Sequence, residues 1–294
     1  MGFIFILTAA FCNVAKGYGS KRISHCVNGL SATMDVAMLR NFLCAIIGAF
    51  IIAMSGFQNF TMPPIGWLIC FIAGIAIGLN YVVWVMALRS GVYVLSNAAN
   101  TASFIIATLC GAFFWKEQFT LIKGLTILLM SISMLFMGKY QTELKGKLTR
   151  KHLLLLFLIF LSAGVSSATQ KWFTLELPNT SAHIYTFYSL LISGFLLLFA
   201  SLFSREQSAL KERVKNIKSL FGWIILIAVC FYAVTFFQTK AAALLDAIVM
   251  YPIYNGTLLL AGNCMAWLCF SEKPNKNSII GAILVFFAVV LAGL

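Results

Sequence analysis

Charge is what this chain has least of. Asp, Glu, Lys and Arg together make up 10% of its 294 residues, against roughly 25% in a soluble globular domain. Only 8 are acidic. Asp35, Glu117, Glu143, Glu176, Glu206, Glu212, Asp246 and Glu272 all fall near the ends of apolar runs or between them, never in the middle of one. Proton-coupled membrane pumps commonly relay protons through a mid-membrane carboxylate, and no such coupling group is evident here. Histidine is nearly absent, at 3 residues, and the 8 cysteines are scattered through apolar sequence without a CxxC pair or a neighbouring His. That spacing argues against a disulfide framework, a metal site or a cofactor motif, and leaves small apolar packing as the role of the cysteines. Neither end has room for a soluble domain.

What the chain has in abundance is apolar sequence, 61% of residues, with a mean hydropathy of +0.95. A spanning helix needs about 20 mostly apolar residues. Ten such runs occur, at 2–18, 36–54, 65–88, 92–115, 121–140, 153–173, 184–203, 220–240, 247–270 and 279–294. Inside lipid each segment must satisfy its own backbone donors and acceptors, which a helix does. The expected fold is therefore an all-α membrane protein with ten transmembrane helices. The first run lacks a basic leader and a small-residue cleavage site, so it is read as a helix rather than a cleaved signal.

The stretch from Asp246 to Glu272 repeats the layout of the stretch from Gly91 to Glu117. An offset of 155 pairs Glu272 with Glu117, Asn255 with Asn100, Ala242 with Ala87 and Lys171 with Lys16. Ten helices then divide into five and five, residues 1–140 and 153–294, joined by a basic connecting loop at 141–152. An odd number per half sends the second half into the membrane from the opposite side, so the expectation is two inverted five-helix repeats, a recurrent transporter architecture.

The net charge of +13 would suggest nucleic acid in a soluble protein. Here the Lys and Arg residues sit mainly in the breaks, at 141–152 and 204–219 above all, where attraction to anionic lipid headgroups and a topology signal account for them. The 204–219 break reads as a short helix lying at the headgroups. Counting positive charge by loop puts both termini outside the cytoplasm.

Polar groups inside the apolar runs are costly and usually face a bundle interior or a wet cavity. Asn97, Asn100 and Ser103 share one face of the fourth run, continued by Ala107 and Gly111. Tyr251, Asn255, Gly262 and Ala266 do the same in the ninth, with Asn263 beside them and Pro252 bending the helix. The third run adds Asn80 and Trp84 after Gly74 and Gly78. The sixth adds Ser166, Ser167, Thr169, Gln170 and Lys171, and the eighth adds Tyr232, Thr235, Gln238 and Thr239. Lys16, Lys171 and Lys240 lie near helix ends, where snorkelling to the interface explains them. Arg40, a turn inside the second run, follows Asp35 and is positioned to pair with it.

The segment YPIYNG (Tyr251 to Gly256), an apolar stretch, SEK (Ser271 to Lys273) and IIG (Ile279 to Gly281) resemble the third and fourth helices of the small multidrug resistance family. In layout nearly the whole chain, with Arg40 in the second helix and Glu117 past the fourth, resembles a ten-helix EamA-type member of the drug/metabolite transporter superfamily. The resemblance implies that Tyr251 and Tyr254 occupy the position of an aromatic pair lining the substrate site. It also implies that Asn13 occupies the position of a proton-coupling Glu, a departure that argues against proton antiport of cationic drugs. The mid-helix Pro common in EamA-type proteins is replaced by Phe104 and Leu259. The superfamily habit is cytoplasmic termini, opposite to the charge count, and the orientation stays open.

The expectation for function is a secondary transporter, an exporter (efflux) or exchanger in the plasma membrane, moving a small polar or amphipathic metabolite by alternating access. Helices one to four and six to nine would form the cavity. The substrate-binding candidates are Asn13, Asn80, Trp84, Asn97, Asn100, Gln170, Tyr232, Gln238, Tyr251, Tyr254 and Asn255. The charged candidates are Lys16, Arg40 and Lys171, which would favour an anionic solute if they face inward. Expected partners are that solute and the bilayer, with no nucleic acid, no cofactor and no metal, as a monomer or homodimer. The alternatives are an intramembrane hydrolase, in which Gly164, Val165 and Ser166 supply a GxS nucleophile and His183 a base, and a non-transporting membrane scaffold. The unshared residues Tyr251, Pro252 and Tyr254, against Ser96, Asn97 and Ala99, point to the substrate site.

Overall fold

A computed structural model describes residues 1–27, 29–56, 60–90, 93–117, 120–145, 149–203, 210–272 and 275–292. The described residues are helical almost throughout: α1 (Gly2–Ser24), α2 (Gly29–Met54), α3 (Pro64–Ser90), α4 (Tyr93–Ala102), α5 (Phe104–Phe113), α6 (Leu121–Lys145), α7 (Arg150–Glu176), α8 (Ala182–Phe203), α9 (Leu210–Leu244), α10 (Ala247–Cys269) and α11 (Lys276–Ala292). α4 and α5 are one rod interrupted at Ser103, so ten rods follow one another, in the order the apolar runs predict. Seven of them, α1, α2, α3, α4–α5, α7, α8 and α9, are long and apolar enough to cross a membrane. Shorter apolar segments lie within α6 and α11.

The distribution of side chains is that of a protein dissolved in lipid. Phe50, Phe71, Phe113, Phe114, Phe199 and Phe286 face outward, while Arg40, Asn41, Asn97 and Asn263 are buried. Lipid solvates the outer Phe and Leu side chains, so the costly polar groups collect where other helices can bond them. The chain is an all-α integral membrane protein.

Several helices overrun the apolar runs that announce them. α1 continues past residue 18 through Lys21, because the Lys21 ammonium donates to the Leu88 carbonyl at the end of α3, 2.9 Å away, and so becomes buried. The expected loop at 141–152 is helix on both sides, through Lys145 in α6 and from Arg150 in α7. Residues 146–148 lie outside the described residues. The expected headgroup helix at 204–219 is, from Leu210 on, the beginning of α9, and 204–209 lie outside the described residues. Lys and Glu are good helix formers, so the described parts of these stretches can carry a helix beyond the hydrocarbon.

Helix starts follow ordinary capping rules in places. The Thr149 side chain accepts from the His152 amide at 3.2 Å. Before α11, the Asn275 Oδ1 accepts from the Ser278 amide while Ser278 Oγ accepts from the Asn275 amide, at 2.9 and 3.1 Å, a reciprocal cap. The starts of α4 and α10 are handled differently. The carboxylate of Glu272, past the end of α10, accepts from the amides of Tyr93 and Val94 at 2.8 and 3.1 Å. The carboxylate of Glu117, past the end of α5, accepts from the amides of Ala247 and Ile248 at 2.9 and 3.0 Å. Each acid satisfies orphan donors and complements the positive end of a helix dipole.

The backbone that presents these two acids is the same twice over. Among the described residues, Lys116 and Ser271 are the non-glycine residues with positive φ, at 54° and 56°. The Glu117 amide donates to the Gly111 carbonyl and the Glu272 amide to the Ala266 carbonyl, at 3.0 and 3.3 Å. Every member of these pairs is 155 residues from its counterpart. The most extensive helix pairings, α1 with α9, α2 with α8, α3 with α7 and α6 with α11, each join a helix before residue 146 to one after 149. α10 packs on α4, α5 and α1. The two halves therefore interleave into one unit with no separable cores.

Candidate functional site

A polar cavity of about 60 Å³ lies at the centre of the bundle. That is room for a few waters, since one needs about 15 Å³. Its walls come from six rods. α1 contributes Asn13 and Lys16; α3, Ile77 and Asn80; the α4–α5 rod, Asn100 and Ser103. α7 contributes Ala163, Ser166 and Ser167; α9, Phe231, Val234 and Gln238; α10, Tyr254 and Asn255. Each lies within about two turns of the middle of its span, so the cavity sits at mid-depth. Lipid cannot solvate these groups, and helix-to-helix hydrogen bonds hold many of them. Asn80 Nδ2 reaches Ser162 Oγ, the Ile159 carbonyl and Asn100 Oδ1 at 3.2, 3.3 and 3.4 Å, tying α3 to α7 and α4. Asn13 Nδ2 donates to the Tyr254 hydroxyl at 2.6 Å, tying α1 to α10. Asn255 Nδ2 donates to the Tyr251 carbonyl at 3.0 Å.

Seven of the fourteen sequence candidates line this cavity: Asn13, Lys16, Asn80, Asn100, Gln238, Tyr254 and Asn255. The other seven are buried elsewhere. Asn97 Nδ2 points to the Leu258 carbonyl at 3.4 Å and fills the notch at Gly262, where a Cβ would stand 2.5 Å from it. Tyr251 donates its hydroxyl to the Ser167 carbonyl as a strut from α10 to α7. Tyr232 bonds His183 Nδ1 at 2.7 Å. Trp84 meets Tyr93 edge-on, and neither its Nε1 nor Gln170 Oε1 has a hydrogen-bond partner among the described residues.

Arg40 is fully buried behind the cavity wall. Its guanidinium lies 3.7 Å from the Tyr81 ring centroid and 4.1 Å from that of Phe231. Nε and Nη2 donate to Asn41 Oδ1, and Asn41 Nδ2 passes on to Ser193 Oγ at 2.8 Å. It does not pair with Asp35. Lys171 is taken up by structure: Nζ donates to the carbonyls of Leu245 and Ala242 at 2.8 and 3.1 Å and lies 3.6 Å from Glu117.

The lysine pairing needs a correction. The sequence offset of 155 sets Lys171 against Lys16, but the residue that does for α3 what Lys171 does for α9 is Lys21, through Leu88. α1 and α7 thus correspond at an offset of 150, which also sets Lys16 against Ser166 and Asn13 against Ala163, all four in the cavity wall. α3 and α9 correspond at 154, setting Ile77 against Phe231 and Asn80 against Val234.

Phe231, Val234, Ala163 and Ile77 were not legible as site residues because apolar side chains are everywhere in this chain. One signal existed: counting back from Gln238 by four and seven reaches Val234 and Phe231 on the same helical face, with Tyr232 turned away toward α8. For the hydrolase reading, Ser166 does face the cavity, but His183 is bonded to Tyr232 and stacks on Phe236 at 4.0 Å, so that ring nitrogen is not offered to Ser166.

A larger space of about 540 Å³ lies between α5 and α7. Ile106, Phe114, Trp115, Val165 and Trp172 dominate its wall, with Thr169 and Glu176 as its polar members, a lining that suits lipid better than a polar solute.

No protein-family model matches the chain, and no curated protein matches it. A solved structure described only as "Crystal structure of protein" superimposes with a TM-score of 0.74, over 99% of this chain and 96% of that one, at 10% identity. At that identity the likeness shows the shared fold alone.

Proposed function

We propose that the protein is a secondary transporter built from two inverted five-helix repeats, α1–α6 and α7–α11, and that it moves a small polar solute by alternating access through the central cavity. The observation that carries the reading is the cavity itself: a mid-depth polar chamber walled by matched rods of both halves, at the place where inverted-repeat carriers bind substrate. The reciprocal Glu117 and Glu272 clamps, and the pairing of α1 with α9 and of α3 with α7, support a twofold relation between the halves. The resemblance to EamA-type drug/metabolite transporters agrees with this. No carboxylate lines the cavity among the described residues, which favours facilitated movement or exchange over proton antiport. Export or exchange across the plasma membrane is the expected setting.

The test is uptake into proteoliposomes preloaded with unlabelled solute, screened across amino acids, nucleobases and organic anions. At least one class should exchange. Asn80→Leu should slow that exchange at least about tenfold, since it removes the Nδ2 contacts to Ser162, Ile159 and Asn100 at the cavity wall and the loss of even one polar bond of about 1.4 kcal/mol corresponds to that factor. A protein that stays folded and moves no member of the screen would sink the proposal.

A further inference from the structure

We infer that the solute carries a carboxylate and that Lys16 is its counter-charge in the cavity, an inference that rests on the transporter reading above. Lys16 is the one cation in the cavity wall. Among the described residues its ammonium has neither a carboxylate partner nor a hydrogen-bond acceptor. It lies 5.1 Å from the centroid of the Phe231 ring, the ring that Arg40 also faces. A half-buried lysine so far from either end of the membrane has at most the cavity's few waters for hydration, and a ring face only partly replaces the rest.

Snorkelling and frame-building do not explain it. Lys16 is mid-helix in α1, and the anchoring role that Lys171 performs in the second half belongs to Lys21 in the first. At the corresponding position of α7 stands Ser166, so the shared frame does not require a cation there. Two positive groups, Lys16 and Arg40, bear on Phe231 with no acid in the wall. A neutral solute would leave that charge uncompensated when the cavity closes, and a cationic one would make it worse.

The groups beside Lys16 also suit a carboxylate. The Tyr254 hydroxyl already accepts from Asn13, so its own proton remains to be donated, and no acceptor for it occurs among the described residues. Gln238 offers an amide with no partner among the described residues. One cation with two neutral donors balances a single negative charge in a cavity of about 60 Å³.

The experiment compares carboxylates with their own amides, so that shape is held while charge changes: lactate and lactamide, benzoate and benzamide, succinate and succinamide, alanine and alaninamide. Thermal shift of the purified protein and competition in the exchange assay are read for wild type, Lys16→Gln and Lys16→Arg, with size exclusion to check folding. At least one carboxylate should stabilise wild type where its amide does not. Lys16→Gln should weaken that binding by at least about tenfold, and Lys16→Arg should restore most of it. No carboxylate preference in wild type, or a preference that survives in Lys16→Gln, would overturn the assignment. Because binding is read separately, carboxylate binding without exchange would defeat the transporter reading alone, and exchange of neutral solutes unaffected by Lys16→Gln would defeat the carboxylate assignment alone.

Discussion

Lys16 on α1 and Lys171 on α7 are both cations inside the bundle, Lys16 half-buried at the cavity and Lys171 buried, and they have opposite fates. Lys171 is surrounded: two carbonyls at the end of α9 accept from it, and Glu117 lies at 3.6 Å while holding the start of α10. Lys16 faces a cavity and a ring. A buried charge satisfied on all sides belongs to the scaffold, and one left open is available to a ligand. The contrast separates the two functions that polar residues serve in this bundle.

The comparison can be broken most severely at Lys171. Lys171→Met leaves Glu117 buried without its cation and should cost about 3–5 kcal/mol, whereas Lys171→Met combined with Glu117→Gln should cost less than the sum of the two single changes. Folded yield by size exclusion and thermal denaturation read both. Next, Glu272→Gln should cost about 1–3 kcal/mol by weakening the two charge-assisted bonds to Tyr93 and Val94. Glu117→Gln weakens two such bonds, to Ala247 and Ile248, and strips Lys171 of its anion, so it should cost at least about 1–3 kcal/mol in the same thermal denaturation. Gly262→Ala should cost about 1–3 kcal/mol, since the new methyl meets Asn97, and Asn97→Ala in the same chain should recover part of it. Smallest in stability is Lys16→Gln, expected within about 0.5 kcal/mol of wild type or more stable. A loss like that of Lys171→Met would make Lys16 a scaffold residue.

Much of this was legible in the sequence because lipid imposes long apolar runs, and ten of them were countable. The 155-residue recurrence of Glu117 and Glu272 was legible as well, and the structure adds the matching positive-φ residues before them. What these acids hold was not legible, since their amide partners lie 130 or more residues away along the chain. The lysine alignment failed for a physical reason: the offset falls to 150 between α1 and α7, so a single spacing matched Lys171 to a residue of the same type with a different role. Arg40 was set against the nearby Asp35, but aromatic faces and Asn41 hold it, and only tertiary packing brings Tyr81 and Phe231 to it. In α9, choosing polar aromatics selected Tyr232, one position from Phe231. One residue of rotation on a helix separates a cavity wall from a contact with α8.

The Glu272 clamp also dictates an order of events during synthesis. The amides of Tyr93 and Val94 are satisfied by a carboxylate 179 and 178 residues later in the chain. At roughly 5–20 residues per second of translation, the start of α4 stays without its native acceptor for roughly 10–35 s while nearly all the remaining helices emerge. The first half is thus born incomplete, and its fourth rod acquires its finished N-terminus only when the end of α10 arrives to close it.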